Sequence, residues 1–344
     1  MHGHLRDRHG KMGFGMLRYS EAEIVCVIDA EHVGGSLQEI TGIVSSVPIV
    51  RNAAEALAIG ADVLVVAVAT SGGILPLGYR DEILTALRGG MSLVNGLHGR
   101  YADDPEYAAN LGHAAWIWDV RQEPTGLTSG RGLAATLACR RVLTVGTDMA
   151  IGKMTASLEM DRESRRRGLR SRMIATGQIG ICITGDGVPL DAVRVDFASG
   201  SVEAQVMKHG PSHDIVHIEG QGSALHPGST AWVALLRGAM PTDLILVHRA
   251  GQHALLNGLD HFVIPPLREV VGIYESAAGA GVGFPPAKVR GIALNCAHLM
   301  SDAEAQAACD TVATETGLVC VDVVRHGASR VLDAVLQAAL LATG

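Results

Sequence analysis

One stretch of the sequence, residues 141–155, restricts most strongly what this chain can fold into. It reads RVLTVGTDMAIGKMT. The β-branched apolar run 142–145 predicts a buried strand, and the pattern after Lys153 predicts a helix that begins near Met154. Between them lies a loop bounded by glycines, whose backbone N–H groups, together with the start of the helix, favour a bound anion. The stretch therefore predicts an α/β domain with a phosphate-binding loop, and the alternative is a plain strand-to-helix turn.

The loop departs at two positions from G-x-x-x-x-G-K-[ST], the usual spelling of a P-loop. Thr147 stands where the first glycine is expected, and Met154 stands where a hydroxyl that binds Mg²⁺ is expected. We nevertheless expect the loop to bind the phosphates of a cofactor, with Lys153 as the counter-charge. The residues predicted to contact this cofactor are Gly146, Thr147, Asp148, Met149, Ala150, Ile151, Gly152, Lys153, Met154 and Thr155.

The composition excludes several classes of protein. Of the 344 residues, 18% are charged and 48% are hydrophobic, which is typical of a folded globular enzyme. A net charge of −7 and an aromatic content of 3% argue against a nucleic-acid surface. No apolar run is long enough to span a membrane, and residues 1–10 lack the apolar core of a secretory signal. We therefore expect a cytoplasmic protein without nucleic-acid or membrane partners.

The cysteines are scattered along the chain and show no C-x-x-C spacing. Most lie within apolar runs, where a thiol packs like a small hydrophobic group. We expect them to be reduced and structural, and we expect no metal site. They are Cys26, Cys139, Cys182, Cys296, Cys309 and Cys320.

Short apolar runs alternate with helical patterns along the whole chain, which predicts an α/β fold with parallel sheets in two domains. The segment 124–132, rich in Pro, Gly, Ser and Thr, has the composition of a linker. We expect a Rossmann-like N-terminal domain over residues 1–136 and a P-loop domain over residues 137–344. A dinucleotide site would want a G-x-G-x-x-G turn after the first strand, and its absence argues against NAD.

Polar residues that follow strands of the first domain lie at the sheet edge where doubly wound folds bind ligands. Two basic residues of the glycine-rich segment 11–19, Lys11 and Arg18, could also reach an anionic ligand. The alternative for all of them is an ordinary solvated loop residue. The residues that we expect to bind the substrate are Arg18, Ser71, Arg80, His98 and Arg121.

Carboxylates occupy two turns of the second domain. Glu219 ends a buried strand and opens a second glycine turn, and a strand-tip acid next to a P-loop faces the phosphates. Asp186 lies in a sharp glycine turn and is followed by Asp191 and Asp196. Such acids can hold a metal, act as a base or bind an ammonium group, or they can merely cap turns. We expect Glu219, Asp186 and Lys153 to be the catalytic residues.

With these motifs in place, the second domain resembles the dethiobiotin-synthetase group of P-loop proteins. Residues 146–153 match the G-T-D-x-x-x-G-K loop of that group. Residues 219–222 resemble its E-G-x-G turn, and residues 291–295 resemble its late G-x-x-x-N strand. The matches are spaced across nearly the whole second domain, so the resemblance is fairly specific.

A closer resemblance covers almost the entire chain. It is to a family long catalogued as a domain of unknown function, with a Rossmann-like first half and a P-loop second half. Similar members are D-glutamate N-acetyltransferases, which implies acetyl-CoA as cofactor and a role in D-amino-acid catabolism beside a racemase-type enzyme. The matching stretches are residues 13–19, 93–98, 146–155, 187–192, 219–223 and 324–328.

Two enzyme mechanisms compete for the same anion site. In one, the loop binds ATP and Mg²⁺ in a ligase or kinase of the dethiobiotin-synthetase type. In the other, it binds the phosphates of coenzyme A, and the reaction is acyl transfer to an amine. A thioether is a poor ligand for Mg²⁺, and Thr155 points roughly 100° away from position 154 on a helix. Met154 therefore favours acyl transfer, while a third alternative is a non-catalytic protein that binds CoA or a nucleotide.

An acyl-transfer reaction assigns roles to the predicted residues. The acceptor amine must lose a proton before it attacks a thioester, and Glu219 or Asp186 is the expected base or ammonium anchor. Lys153 or the backbone of the turn 220–222 would stabilise the oxyanion. A dicarboxylate such as D-glutamate would be bound by arginines, because a guanidinium pairs with a carboxylate through two hydrogen bonds. We also expect a homo-oligomer.

Overall fold

The computed structural model describes residues 1–281 and 283–342, with the backbone alone for Ser71 and residues 339–342. The chain forms two compact units. The first contains Met1–Glu123 and also Gln178–Ala192, and the second contains Pro124–Gly177 and the chain from Val193 onward. The domain boundary that we predict at residue 136 stays a prediction, although the sequence did not indicate that residues 178–192 return to the first unit.

The first unit has a Rossmann-like α/β fold in which parallel strands form two small sheets. One sheet pairs β1 (Val27–Ile28) with β2 (Ile49–Val50), and the other has the order β3 (Val63–Val66), β4 (Ser92–Asn95), β5 (Ile117–Asp119). Helix α1 (Lys11–Tyr19) precedes the strands, and the helices between them are α2 (Leu37–Thr41), α3 (Ala53–Ala58), α4 (Tyr79–Arg88) and α5 (Pro105–Ala109).

The first strand is shorter than the sequence predicts. The apolar run 23–29 predicts a strand along its whole length, whereas only Val27–Ile28 pairs with β2. Residues 22–28 instead line a cavity of ≈ 540 Å³ together with residues of β3. A strand requires a neighbouring strand for its backbone hydrogen bonds, and β2 offers pairing partners for two residues only. The apolar pattern indicates burial, and residues 24–26 are half-buried without pairing with a neighbouring strand.

Helix α4 shows how the core of the first unit forms. Its apolar residues recur at helical spacing, so Ile83, Leu84 and Leu87 share one buried face. They pack against Val66 and Leu93 of the adjoining strands. Burial of each such side chain contributes about 1.5–3 kcal/mol relative to exposure. This packing fixes the strands whose ends carry the predicted ligand residues.

The second unit is built on a six-stranded parallel sheet with the order β11-β10-β9-β6-β8-β7. Its strands are β6 (Arg140–Gly146), β7 (Ser171–Ile174), β8 (Ile215–Ile218), β9 (Asp243–Arg249), β10 (Lys288–Asn295) and β11 (Val319–Val321). The helices of this half of the chain are α6 (Lys153–Arg166), α7 (Gln178–Thr184), α8 (Val195–His209), α9 (Ala231–Ala239), α10 (Leu267–Ala278), α11 (Asp302–Thr316) and α12 (Ser329–Ala342). Helix α7 belongs by its contacts to the first unit.

The central strand β6 determines where the phosphate-binding loop lies. It is flanked by β8 and β9, with β10 next to β9. Since all these strands are parallel, their carboxyl ends meet at one edge of the sheet. The residues that leave β6, β8, β9 and β10 at that edge therefore lie around the loop. Within the described part of the chain, no helix is both long and apolar enough to cross a membrane.

Candidate functional site

The loop after β6 has the strand–loop–helix form that its sequence predicts. Strand β6 ends at Gly146, and α6 begins at Lys153, one residue before the predicted start. Gly152 has φ = 112°, a conformation that L side chains rarely adopt, which explains glycine at this position. Among the described residues no side chain caps the helix at Gly152. The first N–H groups of α6 are thus available to an anion.

Lys153 is buried in the loop that it was predicted to serve. Its Nζ donates a hydrogen bond of 2.6 Å to the carbonyl oxygen of Asp148. Burial lowers the pKa of Lys153 to about 8, against the opposing attraction of Asp148 and Glu219. The lysine can therefore lose its proton more easily than a solvent-exposed lysine, and an anion in the loop would favour its charged form.

Asp148 joins the loop to the segment that follows β9. Its Oδ2 accepts hydrogen bonds from Gln252 Nε2 (2.7 Å) and from the backbone N–H of Leu256 (2.8 Å). Its Oδ1 accepts from the backbone N–H of Met149 at 2.6 Å. Because both oxygens are bonded within the protein, Asp148 holds the shape of the loop.

Thr147 forms a second link to β9. Its hydroxyl lies 2.9 Å from Nδ1 of His248, near the end of that strand. Burial lowers the pKa of His248 to about 4, and His253 lowers it further, so the ring is neutral at physiological pH. A neutral ring next to the loop adds no positive charge for a phosphate, so His248 positions Thr147.

Glu219 leaves β8 at the same edge, as predicted. The side chain is buried, and its charge attracts Lys153. Oε2 accepts hydrogen bonds from the backbone N–H groups of Thr176 (2.9 Å) and Gly177 (3.2 Å), and Oε1 accepts one from Gln221 Nε2 (3.2 Å). Glu219 therefore anchors the chain where it leaves β7.

The turn after Glu219 packs directly on the loop strand. A Cβ at Gly220 would lie 1.9 Å from the carbonyl oxygen of Thr144 and 3.0 Å from Cδ of Lys153, so this position admits glycine alone. Tyr274 connects the two glycine segments, because its hydroxyl donates to Gly146 O (2.7 Å) and accepts from Ala224 N (2.9 Å). The backbones of the two glycine segments therefore lie side by side, and the side chain of Tyr274 connects them.

The arrangement suits the phosphates of a cofactor and lacks one part of a magnesium site. Open N–H groups at the start of α6 and the ammonium of Lys153 are the donors that an anion requires. Met154, in the first turn of α6, is half-buried and offers only a thioether sulfur. Asn295, at the end of β10, is already bonded to the carbonyl oxygen of Ile151 at 2.9 Å.

The predicted substrate residues of the first unit have different surroundings. Arg80 is exposed and forms ion pairs with Asp104 (3.0 Å) and Glu106 (2.6 Å), and these pairs raise its pKa. His98 is exposed beside the short helical turn Ser71–Gly73. The side chain of Ser71 lies outside the described part of the structure. Arg18 lies on the exposed side of α1. The ion pairs of Arg80 are sufficient to explain its presence.

Arg121 and Asp186 both belong to the first unit. Arg121, two residues beyond β5, forms an ion pair with Asp191. Asp186 lies in the turn after α7, where its Oδ1 accepts from the backbone N–H of Gly187 at 2.9 Å. Of the predicted catalytic residues, the structure brings Lys153 and Glu219 together in the second unit, while Asp186 belongs to the first unit.

Two further clusters have the composition of a metal site, which the sequence did not predict. In each, within the described residues, three possible ligand atoms lie within 4.8 Å of one another. Their carboxylates already accept backbone hydrogen bonds, Asp7 from His9 N (2.7 Å) and Asp29 from Glu31 N (3.0 Å). Turn formation therefore accounts for both groups. They are His4, Asp7 and His9, and Asp29, Glu31 and His32.

Three residues that shape the loop were not predicted from the sequence. His248 lies near the end of the strong apolar strand β9 and Gln252 follows that strand, so the rule that selected Glu219 would have selected them as well. Tyr274 lies in the middle of α10, where an aromatic residue normally signals a core position. Only the tertiary contact of its hydroxyl with Gly146 shows the role of Tyr274.

Two family models match the chain. The P-loop domain of DUF1611, described as a domain of unknown function, matches residues 128–332, and the Rossmann-like N-terminal domain of DUF1611 matches residues 30–123. The chain belongs to the DUF1611 family. Membership of DUF1611 confirms the family and the two-domain α/β fold that the motifs predict.

Two curated relatives are each named D-glutamate N-acetyltransferase. The protein from Tritonibacter scottomollicae is 38% identical over 283 residues, which cover 81% of this chain and 83% of the relative. The protein from a Pseudoalteromonas species is 32% identical over 281 residues, with coverages of 81% and 82%. The names of these relatives bear out the prediction of an N-acetyltransferase.

A solved structure resembles the whole chain. It is the crystal structure of a DUF1611 family protein from Anabaena variabilis ATCC 29413, which is 54% identical. The alignment covers 98% of this chain and 97% of that chain, with a TM-score of 0.93. The same two-domain fold therefore occurs in a crystallised member of DUF1611.

Proposed function

We propose that this DUF1611 protein transfers the acetyl group of acetyl-CoA to the amine of D-glutamate. The proposal is supported by two relatives that are named D-glutamate N-acetyltransferase and that align with four-fifths of the chain. It is also supported by a loop built for phosphates, which coenzyme A carries. Acetyl-CoA, when bound, supplies the thioester that the acceptor amine attacks.

One observation carries the choice between acetyl-CoA and ATP–Mg²⁺, namely Met154 in the first turn of α6. Mg²⁺ requires oxygen ligands in a near-octahedral arrangement, and a thioether does not provide one. The phosphates of CoA require N–H groups and positive charge, both of which the loop offers without a metal. A ligase or kinase of the dethiobiotin-synthetase type is therefore only the second candidate, because this chain shares the loop of such enzymes but lacks the hydroxyl ligand for Mg²⁺.

The residues of the loop would act on the cofactor by binding and orientation. The N–H groups at the start of α6 and the ammonium of Lys153 would hold the phosphates. Tyr274 and Asp148 would keep the loop in its binding shape through their hydrogen bonds to Gly146 and Leu256. Glu219 attracts Lys153 and fixes the chain at Thr176.

A general base must take the proton of the acceptor ammonium, and Glu219 and Asp186 remain the two proposed carboxylates. The conservative variants Glu219→Gln and Asp186→Asn separate them. Replacement of the base lowers kcat by about 10²–10⁴-fold and removes the acidic limb of the pH–rate profile. Replacement of a positioning residue weakens acetyl-CoA binding and leaves the shape of that profile unchanged.

Calorimetric titration of the purified protein tests the choice of cofactor. We expect acetyl-CoA and CoA to bind with unchanged affinity in the presence of EDTA, and ATP to gain little from Mg²⁺. Met154→Ser should retain CoA binding, whereas Lys153→Met should weaken it. Tight, Mg²⁺-dependent binding of ATP without binding of CoA would overturn the proposal in favour of the ligase or kinase.

The biological setting is part of the same proposal. We place the enzyme in the cytoplasm, in the catabolism of D-amino acids, as a homo-oligomer. Light scattering coupled to size-exclusion chromatography measures the oligomeric state directly, and a mass of about 36 kDa would contradict the oligomer.

A further inference from the structure

Lys11 and Arg121 lie at the same edge of the sheet β3-β4-β5. The start of α1 is fixed at the exit of β3, because Gly13 N donates to Ala67 O (3.1 Å) and Ala69 N donates to His9 O (2.8 Å). Lys11 is the first residue of this helix. Arg121 follows β5, where Val120 N donates to Asn95 O at the end of β4 (2.9 Å). The carboxyl ends of parallel strands thus gather the two cationic side chains.

The guanidinium of Arg121 has a hydrogen-bonding group without a partner. Its Nη2 pairs with Asp191, while its Nε is buried and finds no acceptor among the residues that the structure describes. A buried N–H of a charged group that stays unbonded is costly, and proteins rarely leave one without a ligand or water. The side chain is 14% exposed, so it lies at the margin of the unit and not deep within it.

Lys11 adds a second unmatched charge. Its ammonium has no ion pair or hydrogen bond to any residue in the described ranges, and the residue is partly open to solvent. Partial burial, followed by repulsion from Arg121 and Arg8, lowers the pKa of Lys11. Asp191 offsets one of the two positive charges, so a net positive charge remains, and an incoming carboxylate would relieve the repulsion between Lys11 and Arg121.

The two donors have the chemistry that a carboxylate requires. An arginine whose Nη2 is bonded to Asp191 keeps Nε and Nη1 without an acceptor among the described residues, and an ammonium can bind the second oxygen of the same carboxylate. Asp191 orients the guanidinium and offsets only one of the positive charges. A ligand with a neutral amide in place of its carboxylate would place an N–H group against the two cations.

We propose that Lys11 and Arg121 bind a carboxylate of the acceptor amino acid and thereby select acidic acceptors. The proposal rests on the acetyl-transfer function in naming an acceptor, and it identifies the residues of the first unit that recognise it. Arg121 was predicted as a substrate residue from its place after a strand, and the structure adds Lys11 as its partner.

Calorimetric titration with glutarate, a dicarboxylate without an amine, tests this site independently of catalysis. The wild type should bind glutarate, and Lys11→Met should weaken the binding roughly 10- to 100-fold, as expected for the loss of a hydrogen bond to a charged group. Arg88→Met is the matched control, since Arg88 is an exposed cation of the same unit bonded to Asn110. This control should bind glutarate like the wild type.

Kinetics with acetyl-CoA complete the test. Lys11→Met should raise the KM for D-glutamate by a similar factor with a smaller change in kcat, because it removes binding and not chemistry. D-glutamine and D-isoglutamine, each with an amide in place of one carboxylate, show which carboxylate is recognised. For the analogue whose amide replaces the recognised carboxylate, the wild type and Lys11→Met should have similar KM values. Arg121→Lys, which keeps a positive charge next to Asp191, should also raise the KM for D-glutamate.

The outcomes separate this proposal from the proposed function. Failure of the wild type to bind glutarate, or equal binding by the wild type and Lys11→Met, would overturn the carboxylate site whatever the kinetics show. Absence of acetyl transfer to every amine would overturn the proposed function, while a glutarate affinity that depends on Lys11 would still support the site.

Discussion

A single side chain, Lys153, has to meet two opposing demands. Burial in the loop favours the neutral amine, whereas a phosphate requires the ammonium. The structure places the balance within reach of physiological pH, with a pKa of about 8. Asp148 and Glu219 oppose the effect of burial, so these acids favour the charged lysine that the proposed function requires.

The affinity for acetyl-CoA should therefore depend on pH. As the pH rises above about 8, free Lys153 loses its proton, and binding must then pay the cost of reprotonating it. Calorimetry between about pH 7 and 9.5 should show affinity falling by up to tenfold per pH unit. Lys153→Met should bind weakly at every pH. An affinity of the wild type that stays constant across this range would contradict the prediction.

His217 on β8 makes the stability of the second unit sensitive to acid. Its ring lies 2.9 Å from the hydroxyl of Ser164, and burial lowers its pKa to about 4. The folded pKa is below that of the unfolded chain, near 6.5. Stability is therefore complete above about pH 6.5 and is lost as the pH falls towards 4, since only the unfolded state binds the proton.

The expected loss is roughly 3 kcal/mol for His217 alone between pH 6.5 and 4. Urea unfolding at several pH values gives the free energy of unfolding as a function of pH, and its slope between pH 4 and 6.5 reports this loss. His217→Asn should reduce this slope, and part of it should remain because His248 behaves similarly. His213→Asn, on the neighbouring loop, serves as the control. Equal slopes in wild type and His217→Asn would show the prediction to be wrong.

At the scale of elements, the turn after β8 shows how closely two backbones approach beside the loop. Gly220 lies against the carbonyl oxygen of Thr144 in the neighbouring strand. Strand β6 and strand β8 are paired in parallel up to Leu143 and Ile218. The register of this pair brings Glu219 beside Lys153, so a change in the turn would displace a predicted catalytic residue.

Gly220→Ala should therefore destabilise the second unit by several kcal/mol and abolish acetyl-CoA binding. A Cβ would lie 1.9 Å from Thr144 O, and backbone cannot move aside as a flexible side chain can. Gly272→Ala in α10 is the matched control, since nothing lies within 4 Å of its Cβ position. The control should gain about 0.4–1 kcal/mol, because alanine restricts the unfolded chain. Thermal unfolding of both variants decides the matter.

At the scale of the whole molecule, the chain leaves the second unit after Gly177 and enters the first unit for one short passage. Helix α7 buries Gly180, Ile181 and Ile183 there. The two residues just before this passage, Thr176 and Gly177, belong to the second unit and donate backbone hydrogen bonds to Glu219. Removal of this passage would thus damage a unit that lies mainly before it in the sequence.

Ile181→Ala should destabilise the first unit in particular. Ile181 is 2% exposed, and such a truncation in a core costs about 2–5 kcal/mol. Trp116 and Trp118 report on the first unit, and Trp232 reports on the second. Fluorescence of variants that keep either set of tryptophans should show earlier unfolding in the first unit alone. An equal shift of both signals would contradict the prediction that this variant destabilises the first unit in particular.

The sequence allowed the prediction of features that depend on neighbouring residues. The start of α6 was predicted within one residue, because the glycine loop and the helical pattern after it are local properties. The strand 23–29 was predicted too long, since apolar residues line a cavity there as well as they line a sheet. The return of residues 178–192 to the first unit left no local signal.

The two α/β halves, the strand–loop–helix form at residues 141–155 and the membership in DUF1611 follow from the sequence alone, because spacing and residue type suffice for these. The ion pairs of Arg80, the unbonded Nε of Arg121 and the charge interaction of Arg121 with Lys11 became visible only in the folded chain. The tertiary structure also decided that Tyr274 holds the carbonyl of Gly146. Hydrogen bonds and like charges act over a few ångströms between residues far apart in the chain, and these distances exist only after folding.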